Sequence, residues 1–334
     1  MKTPIKTITI ICILLLTINI IPIPNVRSEQ LHTKILYVDD NGKQEYTSIE
    51  EAIKNASDGD TIYIYNGTYP GGIWINKSIK LIGENKENTT IEDTTLNPYS
   101  TCILGISADD VTIKDLTIKN GTIPSFKKNF TNTPPADFYY YGIGIEIQSN
   151  NNLITNCDII NNEGYAIKLN NSNHNTIKNN NIINNTWTSI ILRNSSNNII
   201  IKNNILNNRN GILIDSTSNN NILYYNNFIN NTYYNANDYG KNTWYSTKLY
   251  VGNYWSDYNG TDENRNGIGD TPYTIPGTGN QDNYPLMSPY KEIKFEVNID
   301  TLYFMLLVSM IAAILFILLI GVIWYYKNRK KLKE

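Results

Sequence analysis

The densest run of oxygen side chains suited to holding a cation is Asp262-x-Asn264-x-Asn266-Gly267-Ile268-x-Asp270. Oxygens on alternate residues, with glycine at the sharp turn, can wrap one hard ion, and the main-chain carbonyl of Ile268 would add a further ligand. Ca2+ takes about six to eight oxygens, so the set suits it. The bidentate glutamate expected at the twelfth position is replaced by Tyr273, which leaves an EF-hand-like loop without EF-hand helices. The competing reading is an Asx-rich turn whose side chains bond their own backbone.

Other chemistries find less. Copper wants His, Cys or Met together. The two histidines, His32 and His174, lie far apart, Cys12 falls in the leading apolar run, and Met287 belongs to a closing turn. Cys102 and Cys157 remain, and whether they pair is left open. Copper is therefore not expected. Catalytic groups would stand on the outward positions of successive strands. With Ile145/Ile147, Ile167/Leu169, Ile190/Leu192 and Ile212/Ile214 taken as inward, the outward neighbours are Glu146, Lys168, Ile191 and Leu213. The next column is Gln148, Asn170, Arg193 and Asp215. Hydrolysis of a polysaccharide commonly needs two carboxylates a few ångströms apart. Glu146 and Asp215 are three coils apart, about 14 Å at the spacing of stacked strands. A lyase can instead use Arg or Lys as base, so Arg193, Lys168 and Asp215 are the catalytic candidates of a reading that favours no catalysis. Aromatic residues crowd ahead of the acidic loop. Trp244, Tyr245, Tyr254 and Trp255 could stack on the apolar faces of sugars, or they could plug the open end of the fold.

These residues need elements to hold them, and a repeat supplies them. Phrases beginning at Asn152, Asn175, Asn198 and Asn221 start 23 residues apart. Ile154, Ile177, Ile200 and Leu223 share one column, and Ile159, Ile182, Ile205 and Phe228 another. Cys157, Asn180, Asn203 and Asn226 form a third, and Asp158, Asn181, Asn204 and Asn227 a fourth. Apolar residues alternate with polar ones, so the segments are strands, and a period of this length means a solenoid. The Ile columns point inward and stack. The Asn columns sit at bends, where their amides can bond the coils above and below and where Asn tolerates left-handed backbone. The fold expected is all-β: a right-handed parallel β-helix with coils of about 22–23 residues, a capping helix before it and one transmembrane helix after it. The cap is Thr47–Ala56, with Thr47 as N-cap and Glu50 completing a capping box. Ile49, Ala52, Ile53 and Ala56 make its apolar face.

The ends address the chain. Lys2 and Lys6 precede an apolar run from Ile8 to Ile21, broken by Pro22 and Pro24, which reads as a secretory signal over residues 1–28; an uncleaved anchor is the alternative. Residues 302–326 are apolar and long enough to span a bilayer, and a basic tail, 327–334, follows. Between them lie an opening strand and cap (29–60), the β-helix (61–232) with an insertion at 122–141, a closing segment (233–290) and a linker (291–301). The insertion is either a working surface or a decoration. The chain carries 28 basic and 30 acidic residues, and the tail carries a local excess of basic ones, Lys327, Arg329, Lys330, Lys331 and Lys333 against Glu334. The outer part is mildly acidic, which argues against nucleic acid as a partner. Sequons at Asn66, Asn76, Asn129, Asn194 and Asn259 make surface glycosylation plausible.

Ile35-Leu36-Tyr37-Val38-Asp39, the helix after it, and Asp58-Gly59-Asp60-Thr61-Ile62-Tyr63-Ile64 resemble the opening of pectin-lyase-like β-helix proteins. The coils resemble those of the NosD-like family. Gly252-Asn253-Tyr254-Trp255-Ser256-Asp257-Tyr258, Gly267-Ile268-Gly269-Asp270-Thr271-Pro272-Tyr273 and Asp282-Asn283-Tyr284-Pro285-Leu286-Met287 resemble its closing segment, so the likeness runs over roughly 35–290. The resemblance implies a periplasmic or surface β-helix, a fold shared with carbohydrate-active enzymes, and namesakes that assist copper delivery. Three functions follow as expectations: a membrane-anchored, non-catalytic surface protein that binds glycans or envelope components; a polysaccharide lyase or hydrolase; and a copper-maturation accessory.

Overall fold

The computed structural model describes residues 33–93, 101–122 and 142–291. The signal-like run, the 302–326 segment, His32, Asn129 and nearly all of the 122–141 insertion lie outside them. Among the described residues no helix is long and apolar enough to cross a membrane.

Three parallel sheets account for nearly all the described strands. The first contains Ile35–Val38, Thr61–Ile64, Lys80–Gly83, Thr112–Lys114, Leu153–Thr155, Thr176–Lys178, Ile199–Ile201 and Ile222–Tyr224. The second contains Gly67–Pro70, Thr89–Glu92, Thr117–Lys119, Asp158–Ile160, Asn181–Ile183, Asn204–Leu206, Asn227–Ile229 and Tyr254–Trp255. The third contains Ile73–Ile75, Cys102–Ile106, Ile143–Ile147, Ile167–Asn170, Thr188–Arg193, Asn210–Ile214 and Tyr234–Asp238. The chain visits the sheets in turn, and the result is a right-handed parallel β-helix of about eight coils. Ile154, Ile177, Ile200 and Leu223 are register partners, as are Ile159, Ile182, Ile205 and Phe228. All eight are fully buried in one core that runs the length of the solenoid. Both inward columns expected from the repeat are thus the observed ones.

The corners divide between neighbours the two tasks that the sequence assigned to Asn together. Left-handed backbone falls on Asn156, Asn179, Lys202 and Tyr225, with φ of 52°, 56°, 58° and 57°. The next residues, Cys157, Asn180, Asn203 and Asn226, are buried and carry the ladder. Asn180 donates from its backbone N–H and from Nδ2 to Oδ1 of Asn203, both at 3.0 Å, and its Nδ2 also donates to the Ile154 carbonyl at 3.0 Å. Asn203 repeats this toward Asn226, and Asn226 toward Asn253. Two further ladders run beside it, from Asn152 through Asn175, Asn198 and Asn221 to Asn242, and from Asn162 through Asn185 and Asn208 to Asn231. An amide presents one acceptor oxygen and one donor nitrogen, so each ladder has a direction.

A helix, α1, spans Ile49–Asn55 and buries Ile49, Ala52 and Ile53. Its N-cap is Ser48, whose hydroxyl accepts from the Glu51 N–H at 3.4 Å. The capping residue is therefore one later than Thr47, and Glu51 rather than Glu50 holds the third position. Both pairs satisfy the pattern, and the extended backbone of Ser48, φ −126° and ψ 132°, with its bond to the Glu51 N–H selects between them.

Candidate functional site

On the outer face of the third sheet, register places Trp74, Gly105, Glu146, Lys168, Ile191 and Leu213 in one column. The outward assignments from the sequence hold, but outward does not mean exposed. Lys168 Nζ lies 2.9 Å from Glu146 Oε1, and the two side chains are 1% and 5% exposed. Gln148 Nε2 donates to the same oxygen at 3.1 Å. Cys102, Ile143, Tyr165 and Ile191 form a small buried cluster on this flank, with Trp187 and Leu213 against it. Removing either partner of such a pair would strand a buried charge, which makes the contact costly to break.

The remaining catalytic candidates are not gathered with it. Asp215 Oδ1 accepts from the Thr217 and Ser218 hydroxyls at 2.8 and 2.7 Å and from the Thr217 N–H at 3.1 Å. That is a turn closing on itself. Arg193 pairs in register with Asn170, the next outward column, one coil from Lys168's own strand.

The closing segment is a plug. Trp255 stacks on Phe228 at 4.3 Å and on Tyr273 at 4.1 Å between ring centroids, and Trp244 lies 5.7 Å from Trp255. Trp244 and Trp255 are 0% and 1% exposed, so neither ring has a face open to a sugar. Of the four aromatic candidates only Tyr245 and Tyr254 reach solvent, each half-buried. The sequence could not separate the four, because this segment has no repeat from which to count faces.

Two buried carboxylates organise the plug. Asp238 accepts from Trp244 Nε1 and Asn242 Nδ2, both at 2.8 Å, and from the Gly240 N–H at 2.9 Å. Asp282 accepts from Trp255 Nε1 at 2.9 Å, the Asn253 N–H at 2.7 Å and the Tyr284 N–H at 3.1 Å. Burial raises both carboxyls above the ordinary range, Asp282 to about 6, against the lowering pull of these donors. Each also ends a ladder, the first at Asn242 and the second at Asn253. The third passes from Asn231 through Asn235 to Asp257, at 2.9 and 2.7 Å.

The acidic loop brings its predicted residues together, around its own backbone. Asp262 accepts from the N–H groups of Asn266 and Gly267 at 3.1 and 2.8 Å. Asn264 accepts from the Asn266 N–H at 3.0 Å, and Asn266 from the Ile268 N–H at 2.8 Å. Asp270 accepts from the Glu263 N–H at 2.7 Å and Asn264 Nδ2 at 3.3 Å.

Copper, which the resemblance brings with it, finds no matching donor set. Cys102 and Cys157 are buried and no disulfide joins them, and burial pushes each thiol up to about 12. His174 sits at a left-handed corner, and Met287 is exposed in the closing turn. Among the described residues no three His, Cys, Asp or Glu side chains converge on one point. These residues do not fit a copper site.

Sequence reasoning missed Trp74. It is the middle residue of an in-out-in strand and is 41% exposed. The alternation Ile73-Trp74-Ile75 was a signal for an outward indole.

No curated protein matches the chain. Among solved structures, it is similar to pectin methylesterase PemA from Erwinia chrysanthemi, at 14% identity over 64% of this chain and 71% of that one, with a TM-score of 0.41. Pectin methylesterase from carrot aligns at 15% identity over 56% and 62%, TM-score 0.36. The catalytic domain of an α-1,3-glucanase aligns at 18% over 62% and 39%, TM-score 0.43. At these values they carry nothing about activity. The profile of the family described as periplasmic copper-binding protein (NosD) matches residues 53–260, more than half of the chain, and the protein belongs to that NosD family.

Proposed function

We propose that this is an exported β-helix, held at the membrane by the 302–326 segment, whose outer surface binds glycans or other envelope components without transforming them. The observation that carries the reading is the Glu146–Lys168 pair. An acid or base must change its protonation state during turnover. Here the best-placed outward carboxylate and amine are sealed from water and neutralise each other at 2.9 Å. The next carboxylate along the face, Asp215, is engaged by its own turn. What the coils offer outward on the second sheet is amides and aliphatics, Asn181 and Asn204 beside Ile183, Leu206 and Ile229. The test is a glycan array probed with the full-length chain in detergent, with bound polysaccharide then assayed for new chain ends. Binding without new ends is expected. Release of reducing or unsaturated ends would make the protein a hydrolase or lyase instead.

In the same reading the 262–270 loop takes Ca2+. Asp262, Asn264, Asn266 and Asp270 already converge on a few backbone groups, and each oxygen keeps a lone pair for an ion. Millimolar Ca2+ should raise the melting temperature by a few degrees, and Asp262→Asn with Asp270→Asn should abolish the shift. Equal melting curves with Ca2+ and with chelator would remove the ion from the account.

A further inference from the structure

Nothing in the repeat calls for an exposed tryptophan at position 74. Ile73 and Ile75 are buried, 5% and 0% exposed, while the indole between them is 41% exposed. The ring is held in place. A Cβ at Gly105, its register partner, would meet Cδ2 of Trp74 at 2.4 Å and Cε2 and Cε3 at 2.6 Å. One side of the indole therefore rests on bare backbone, and only glycine allows it. The rest of the ring borders a groove of about 660 Å3 between the third sheet and α1. That volume is in the range of small-ligand sites.

The rim of the groove is polar and balanced. Glu50, Glu51 and Lys54 stand exposed on α1, and Asn76 and Lys77 follow Trp74 in the chain. Lys77 Nζ is fixed by the carbonyls of Ile53, Lys54 and Ala56 at 2.9, 2.8 and 2.6 Å, which ties the strand side of the groove to the end of the helix. Two carboxylates and two ammonium groups line the groove, so their formal charges cancel. A seated aromatic ring flanked by carboxylate and amide acceptors matches a ligand with one apolar C–H face and a girdle of hydroxyls. We infer that this groove is the glycan site, that Trp74 is its stacking platform, and that its ligand is a neutral pyranose oligosaccharide. The inference rests on the glycan-binding reading above and says where on the solenoid that binding occurs.

The test uses the full-length chain in detergent, made in a host without N-glycosylation, since Asn76-Lys77-Ser78 is a sequon on the rim. The probes are linear neutral hexaoses with α-1,4, β-1,4 and β-1,3 linkages, titrated by calorimetry and by saturation-transfer NMR. Wild type should bind at least one of them. Trp74→Ala should weaken that binding at least tenfold. Gly105→Ala should do nearly the same, because it lifts the ring while leaving every groove side chain in place. Tyr239→Ala, an exposed aromatic just past the last strand of the third sheet, should leave the affinity unchanged, and circular dichroism should show the same strand content in all variants. Wild-type affinity in both Trp74→Ala and Gly105→Ala would overturn the placement and leave the glycan reading standing. No binding of any hexaose by wild type, with envelope polysaccharide captured on the array, would overturn the neutral-ligand assignment. No binding of any glycan in either assay would remove both readings.

Discussion

The middle coils and the closing segment bury polar groups in opposite ways. In the middle, from Asn152 to Asn231, the corner ladders are neutral, and each amide passes its hydrogen bonds to an identical amide one coil on. At the close there is no next coil, and acceptor-only carboxylates receive the last donors: Asp238 for the first ladder, Asp282 for the second and Asp257 for the third. An uncharged chain of donors can be extended indefinitely at little desolvation cost, whereas its end needs a group with lone pairs and no hydrogens. Asp238 and Asp282 meet that need at the expense of burying charge, which is why Asp282 is pushed up to about 6.

Breaking a middle rung should have the largest effect. Asn203→Ala removes the oxygen that accepts from Asn180 N–H and Nδ2 and the donor to the Ile177 carbonyl. Two or three buried groups lose partners, for roughly 3–6 kcal/mol in urea unfolding. A loss below about 1 kcal/mol would mean that water can replace a rung.

The terminators should show themselves through pH. A carboxyl raised when folded binds its proton more tightly in the folded state, so its contribution is fully present below the unfolded value near 3.8 and is lost as pH rises through about 6. The size is on the order of 3 kcal/mol for a displacement of that extent. Wild type should therefore lose more melting temperature between pH 4 and pH 7 than Asp282→Asn does, and the variant should be the less stable at pH 4. Parallel pH profiles would show that Asp282 titrates normally and that the ladder end is hydrated.

The smallest effect separates neighbours at one corner. Asn179→Ala changes only a left-handed backbone position, φ 56°, and should cost about 1 kcal/mol. Corners at Lys202 and Tyr225 already dispense with Asn, while the adjacent ladder position tolerates only Cys157 at its start. Equal losses for Asn179→Ala and Asn203→Ala would erase that distinction.

The same contrast explains what the sequence revealed. Four repeats at 23-residue spacing made the inward columns, the strand faces and the amide columns readable before any coordinates. Register did the work, since a column seen four times averages out local ambiguity. The closing segment occurs once. Its tryptophans carried a chemical type but no phase, so Trp244 and Trp255 could be read as platform or as plug, with the need to cover the last coil favouring the plug. Trp74 was lost differently. Its strand showed the right alternation, but its partner Gly105 lies across a stretch of 76–101 with no repeat to align. The Glu146–Lys168 pairing was visible as adjacency, yet its burial depended on what lies over the face.

The direction of the ladders has a further consequence. Because every amide donates the same way and only the last rung differs, a whole 23-residue cassette could be copied or excised between Asn175 and Asn198 with both termini of the ladders unchanged. Each added copy would lengthen the molecule by about 4.8 Å. The length of the solenoid is thus a matter of how many cassettes stand between a fixed first coil and three acidic stops.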